Sequence, residues 1–223
     1  MALRLELDLQ ELGVDLGPGR VTRRFRLRRL RADSNVYTKV VLDSATDPDL
    51  GYFLGKPFRV AQELPGGRVL QVEGLRELRD SALAQTLGRR PPGILEGVTL
   101  PLTDEVLLAQ LDALWGGLPP GGLAPGQEAW QVPRRLHPWG GKWLDFTAEL
   151  RRDGSEVTGA PLGEVRERST QDSVLIAPRV ALRQRWGPRG VEAARVELRA
   201  SERWPGGEST IEWWVEWGPA EER

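Results

Sequence analysis

The stretch Val98 to Trp143, VTLPLTDEVLLAQLDALWGGLPPGGLAPGQEAWQVPRRLHPWGGKW, decides how the rest of the chain is read. It contains an amphipathic helix, a Gly/Pro-rich crossing and four of the nine tryptophans. Thr103 is placed to cap the helix, and Asp104 and Glu105 fall in its first turn, where the helix dipole favours acid. Val106, Leu107, Gln110, Leu111, Leu114 and Trp115 follow on one face, and Gly116-Gly117 ends it. Beyond the helix, LPPGGLAPG has no period, but Leu118 and Leu123 interrupt it and it leads straight into Trp130. That pattern fits an ordered surface crossover better than a free linker.

Working back towards the N-terminus, Leu75, Leu78, Ala82, Leu83 and Leu87 form the apolar face of a second helix, ended by Gly88. Everything before it reads as antiparallel strands. Leu3, Leu5, Leu7 and Leu9 alternate with polar residues, the period of a half-buried strand. Arg20 to Arg31 carries seven arginines, yet as a strand it puts Phe25 and Leu27 opposite in face to Arg24, Arg26 and Arg28. With Gly13 to Gly19 as the turn, the hairpin sets Glu6 against Arg26, Asp8 against Arg24, Leu5 against Leu27 and Leu7 against Phe25. Such cross-strand pairs contribute about 0.2–1 kcal/mol each. A charged outer sheet face thus explains the arginines, with an acidic partner as the alternative use. Asn35 to Ser44 is a third strand, and Phe58 to Leu64 pairs with Arg68 to Val72 across Pro65-Gly66-Gly67.

Beyond the crossing the pattern is β again. Leu144, Phe146, Ala148 and Leu150 alternate with polar residues, and Val180, Leu182 and Trp186 share a face. Val196 and Leu198 point inward on the next strand. Pro205-Gly206-Gly207 turns into a last strand with Ile211, Trp213, Val215 and Trp217 on one side and Trp214 on the other. Strands, then two helices and a crossover, then strands predict an α+β fold with the helices on one face of an antiparallel sheet. The expected organisation is one domain over 1–223, with β halves at 1–73 and 143–217 and a helical lid and crossover at 74–142.

Composition narrows the function. A formal net charge of -1 gives no reason to expect nucleic-acid binding, and no apolar run approaches the roughly 20 residues of a membrane-spanning helix. Without cysteine, disulfides and thiolate sites are excluded, and with His137 as the one histidine, so is a two-histidine metal site. No zinc or EF-hand spacing and no phosphate loop occurs, so neither metal nor cofactor is expected. Lys39, Lys56 and Lys142 are the only lysines and Asn35 the only asparagine, a bias of high-GC or heat-adapted genomes. The start MALRLELDLQ has no export pattern. That leaves a cytoplasmic protein, or an envelope protein whose signal has been removed.

A catalytic role is not expected. His137 lies in Leu136-His137-Pro138-Trp139 with no G-x-S-x-G motif elsewhere, which fits a histidine packed beside tryptophan. All nine tryptophans fall between positions 115 and 217. Trp213 and Trp217 read as core, whereas Trp130, Trp139 and Trp143 sit beside the glycines of the crossing, where large rings could line an apolar cavity.

The order of elements resembles the half-barrel of bacterial lipoprotein carriers, and of an uncharacterised group of envelope lipoproteins with that architecture. The matching residues are Leu118-Pro119, Pro125-Gly126 and Trp130, in a proline, glycine, tryptophan step into the second β half, together with Val69 to Leu75 at the strand-to-helix junction. The resemblance implies a curved antiparallel sheet with both helices across its concave face, and non-enzymatic binding of hydrophobic molecules in the cell envelope. The expected ligand is a lipid or other apolar molecule held among Leu78, Ala82, Leu107, Leu111, Leu114, Trp115 and Trp130. The alternative is a protein-interaction module, with an envelope protein as its partner, that uses Arg24, Arg26, Arg28 or Trp214.

Overall fold

The computed structural model describes residues 3–34, 40–64, 67–86, 102–119, 122–138, 141–170, 172–187 and 190–218. Its strands are β1 (Leu3–Gly17), β2 (Arg20–Ser34), β3 (Val40–Asp43), β4 (Pro57–Glu63), β5 (Val69–Glu73), β6 (Ala129–Leu136), β7 (Lys142–Asp153), β8 (Glu156–Pro161), β9 (Arg166–Ser169), β10 (Val174–Gly187), β11 (Gly190–Trp204) and β12 (Gly207–Trp217). The helices are α1 (Pro48–Gly51), α2 (Leu75–Thr86) and α3 (Asp104–Trp115). Antiparallel sheet dominates. Among the described residues the strands hydrogen-bond into two sheets rather than one. The first runs β1-β2-β4-β5 with β3 also on β2; the second runs β12-β11-β10-β8-β7-β6 with β9 also on β7. The chain forms two compact units, residues 1–62 with 70–108 and residues 63–69 with 109–223. Parts of the early expectations, Asn35 to Lys39, Leu87-Gly88 and Trp139, lie outside the described residues.

In the first unit, β1 and β2 form the expected hairpin in a different register. Gly17 pairs with Arg20 across a two-residue Pro18-Gly19 turn, so β1 continues through Gly13 instead of turning there. Gly19 adopts a φ of 64°, the left-handed conformation that glycine takes without a Cβ penalty. The result sets Glu6 against Arg31, Asp8 against Arg29, Leu7 against Leu30 and Leu9 against Leu27. A register shift between Asp8 and Leu9 leaves Arg28 as an extra residue. Such a bulge reverses the alternation, which is why Leu27 and Leu30, three apart, are both buried beside Phe25 and Val21.

The two long helices are tied by a contact that sequence patterning does not show. The Asp104 carboxylate accepts hydrogen bonds from the Leu75 and Arg76 amides at 2.9 and 3.2 Å. The acid expected to serve the dipole of its own helix thus caps the N-terminus of α2, whose first amides have no intrahelical acceptor. Arg76 also pairs with Glu105. Burial raises the Asp104 carboxyl above its ordinary range, while the two amides pull it back.

The second unit is built on one continuous buried face of the seven-stranded sheet. Trp130, Val132 and Leu136 come from β6, Leu144, Phe146, Ala148 and Leu150 from β7, and Val157 from β8. Leu182 on β10, Val196 and Leu198 on β11 and Ile211 on β12 extend it. β6 contains Pro133, which cannot donate to a neighbour. It is tolerated because β6 is the end strand of its sheet. Pro178 sits at a register shift between Ile176 and Arg179 in β10, with Ala177 at a φ of 49°. That irregularity lets Leu175, Val180 and Leu182 all face the core.

Candidate functional site

The C-terminal end of α3 is seated on the buried face of the second sheet by side chains that satisfy its free carbonyls. Gln184 Nε2 donates to the Leu114 carbonyl at 2.8 Å and to that of Gly116 at 3.3 Å, and Arg134 also donates to Gly116. Trp130 Nε1 donates to the Gly117 carbonyl at 2.5 Å. A cation at this end complements the helix dipole. Asp112, near Arg134 across Gly116, accepts from the Val69 amide at 2.8 Å. Burial raises the Asp112 carboxyl and lowers the Arg134 guanidinium, and the attraction between them opposes both shifts. Trp115 meets Trp217 edge-on, with ring centres 4.8 Å apart.

Directly after this seat the chain crosses the end of the same face. Gly122 N donates to the Pro119 carbonyl, Gln127 N to that of Ala124, and Arg152 N to that of Glu128. Beneath the crossing is a cleft of about 310 Å³ lined by Leu118, Gly122, Leu123, Trp130, Arg152, Val157 and Trp186. The sheet register explains the grouping. Arg152 pairs with Val157, Val157 with Gln184, and Trp130 with Leu150, so these residues occupy adjacent rows of one face. Both indole N–H groups are engaged, that of Trp130 at Gly117 and that of Trp186 at Gln184 Oε1, 3.1 Å away. The lining side chains are therefore rings and aliphatic groups, with Arg152 the one charged residue among them.

Of the residues expected to hold a ligand, Leu78, Ala82 and Leu107 belong to the first unit, and Leu111, Leu114, Trp115 and Trp130 to the second. All seven are buried. Trp130 alone among them lines the cleft. Leu118 and Leu123 were visible as the apolar interruptions of the Gly/Pro run. Val157, Trp186 and Arg152 carried no comparable signal, because they meet only through strand pairing. The other residues singled out are engaged within the chain. Arg24 is 3.8 Å from Asp15, Arg26 bonds Gln10 at 2.8 Å and Arg28 is 3.9 Å from Asp8. Trp214 is 42% exposed and lies under the Arg195 guanidinium, 5.7 Å from it.

His137 packs edge-on against Trp143 at 4.4 Å and is buried. Burial lowers its pKa from the ordinary 6.5, so it is neutral at pH 7. The unfolded chain then binds a proton at a higher pH than the native one. Its stabilising contribution is complete above about pH 6.5 and is lost as pH falls through the lower native value. A Tm series from pH 8 to 5 should therefore fall more steeply for the wild type than for His137→Gln. Parallel curves would show that the histidine is not desolvated.

No group of three or more histidine or acidic residues able to hold a metal occurs among the described residues, and no described helix is long and apolar enough to cross a membrane. Comparison with protein-family models, with characterised proteins and with solved structures finds no match.

Proposed function

We propose that this protein is a non-catalytic binding protein that holds a small hydrophobic molecule in the cleft under the crossover. The lining supports this most directly: two tryptophans with their N–H groups committed elsewhere, three aliphatic side chains and a single charge surround about 310 Å³. That volume lies at the lower end of small-molecule sites. Affinity would come from apolar area removed from water, at about 25 cal/mol per Å². On this reading the second sheet, with the end of α3 and the crossover on its buried face, corresponds to the half-barrel of the envelope carriers, and an envelope location follows from the same likeness. A non-enzymatic role accords with the packing of His137 against Trp143.

Val157 forms part of the cleft wall and faces inward. Titration with an environment-sensitive apolar dye should give saturable binding to the wild type, and Val157→Trp should remove it by filling the space. Tight dye binding that survives Val157→Trp would place the site elsewhere. Absence of saturable binding to the wild type would refute the reading.

A further inference from the structure

Resting on that reading, we infer that the ligand is a single-chain amphiphile with a carboxylate head, its chain between Trp130 and Trp186 and its head on Arg152. Three observations point this way. First, the lining side chains are aromatic or aliphatic except for one cation, so the cleft offers a single charged side chain, and that one suits an anionic head. Second, Arg152 is in no ion pair among the described residues. The chain is densely ion-paired, and neighbouring Arg151 meets Glu149 at 3.3 Å and Arg185 meets Glu192 at 3.8 Å. Arg152, in contrast, has no carboxylate partner among the described residues. Third, its plane is set. Nε donates to the Gly154 carbonyl at 2.8 Å, across the turn between β7 and β8. This leaves the two terminal nitrogens, the fork that matches a carboxylate with two parallel hydrogen bonds.

Size sets the chain length. At roughly 30 Å³ per water-sized group, the cleft holds about ten such groups, the scale of a medium alkyl chain. A neutral chain of the same length would gain the apolar contacts and lose the charge-assisted pair at the rim.

The test compares decanoate, decanol, decyl phosphate and decyltrimethylammonium by calorimetry or dye displacement at pH 8 and low salt. Wild-type protein is expected to bind decanoate roughly tenfold more tightly than decanol, an advantage in the range of one charge-assisted hydrogen-bonded pair, and to bind the cation most weakly. Arg152→Gln should bring decanoate and decanol to equal affinity, with decanoate losing roughly tenfold more than decanol, and Arg152→Lys should retain part of the preference. The preference should also shrink as salt rises. Equal binding of decanoate and decanol by the wild type would overturn the carboxylate assignment and leave the apolar site standing. So would a preference that persists in Arg152→Gln, or tighter binding of decyl phosphate than of decanoate. No saturable binding of any of the four would overturn both the assignment and the site.

Discussion

Lys142→Met is expected to destabilise the protein by about 3–5 kcal/mol, the range for removing one member of a buried ionic group. Lys142 is 0% exposed at the start of β7. Its ammonium donates to Glu167 Oε1 at 2.6 Å, to the Ser173 carbonyl at 2.7 Å and to Ser169 Oγ at 3.4 Å, and lies 3.5 Å from Glu202. Both carboxylates have a second donor as well. Glu167 Oε2 accepts from the Leu175 amide at 2.6 Å, and Glu202 accepts from Ser173 Oγ at 2.7 Å. One ammonium and its two carboxylates thus tie β7, β9 and β11 to the start of β10. Methionine fills a similar volume, so the loss would come from two nearly dry carboxylates left without a cation. At about 2–4 °C per kcal/mol for a chain of this size, Tm should drop by roughly 6–20 °C. Adding Glu167→Gln and Glu202→Gln should recover much of it, since neutral side chains need no counterion. A loss below about 1 kcal/mol for Lys142→Met alone would show that water reaches the cluster.

Gly117→Ala should produce the second large effect, about 1–3 kcal/mol, as expected for forcing a methyl into a packed site. A Cβ there would lie 2.7 Å from the Trp186 ring and 2.8 Å from Gln184 Oε1. Both neighbours are fixed, Trp186 by its bond to Gln184 and Gln184 by its bond to the Leu114 carbonyl. Moving either one breaks the seat of α3 and shifts a wall of the cleft, so ligand affinity should fall with stability. Gly51→Ala is the comparison: open space surrounds that position, and the change should stay within about 0.5 kcal/mol. Denaturant unfolding of both variants separates the cases. Equal stability for Gly117→Ala and wild type would mean that the helix end does not rest on the sheet as described.

The regular parts of this fold were legible wherever one side chain pattern repeated. Leu144 to Leu150 and Ile211 to Trp217 alternate cleanly, and α2 and α3 begin where Leu75 and Thr103-Asp104 indicate. What was lost depends on pairing partners. β6 was read as part of the crossing because Pro133 and two arginines interrupt its alternation. The structure resolves this by making it an end strand with Arg134 turned inward to α3. β9, Arg166–Ser169, has no apolar residue and is held by the Lys142 cluster instead of by apolar burial. The β1–β2 register turned on whether Gly13 or Pro18-Gly19 makes the turn, which glycine content alone does not decide. The candidate site was the least legible part. Leu118, Leu123 and Trp130 lie close in sequence and drew attention, whereas Arg152, Val157 and Trp186 join them only once β7, β8 and β10 are laid side by side.

The cleft itself is tested most directly by quenching of tryptophan fluorescence with 10-bromodecanol, because bromine quenches the indoles it touches. Its neutral head keeps the result independent of Arg152. The expected result is saturable quenching, reduced in amplitude in Trp186→Phe and abolished in Val157→Trp. Quenching that rises without saturation, or that is unchanged in both variants, would contradict a ligand site under the crossover.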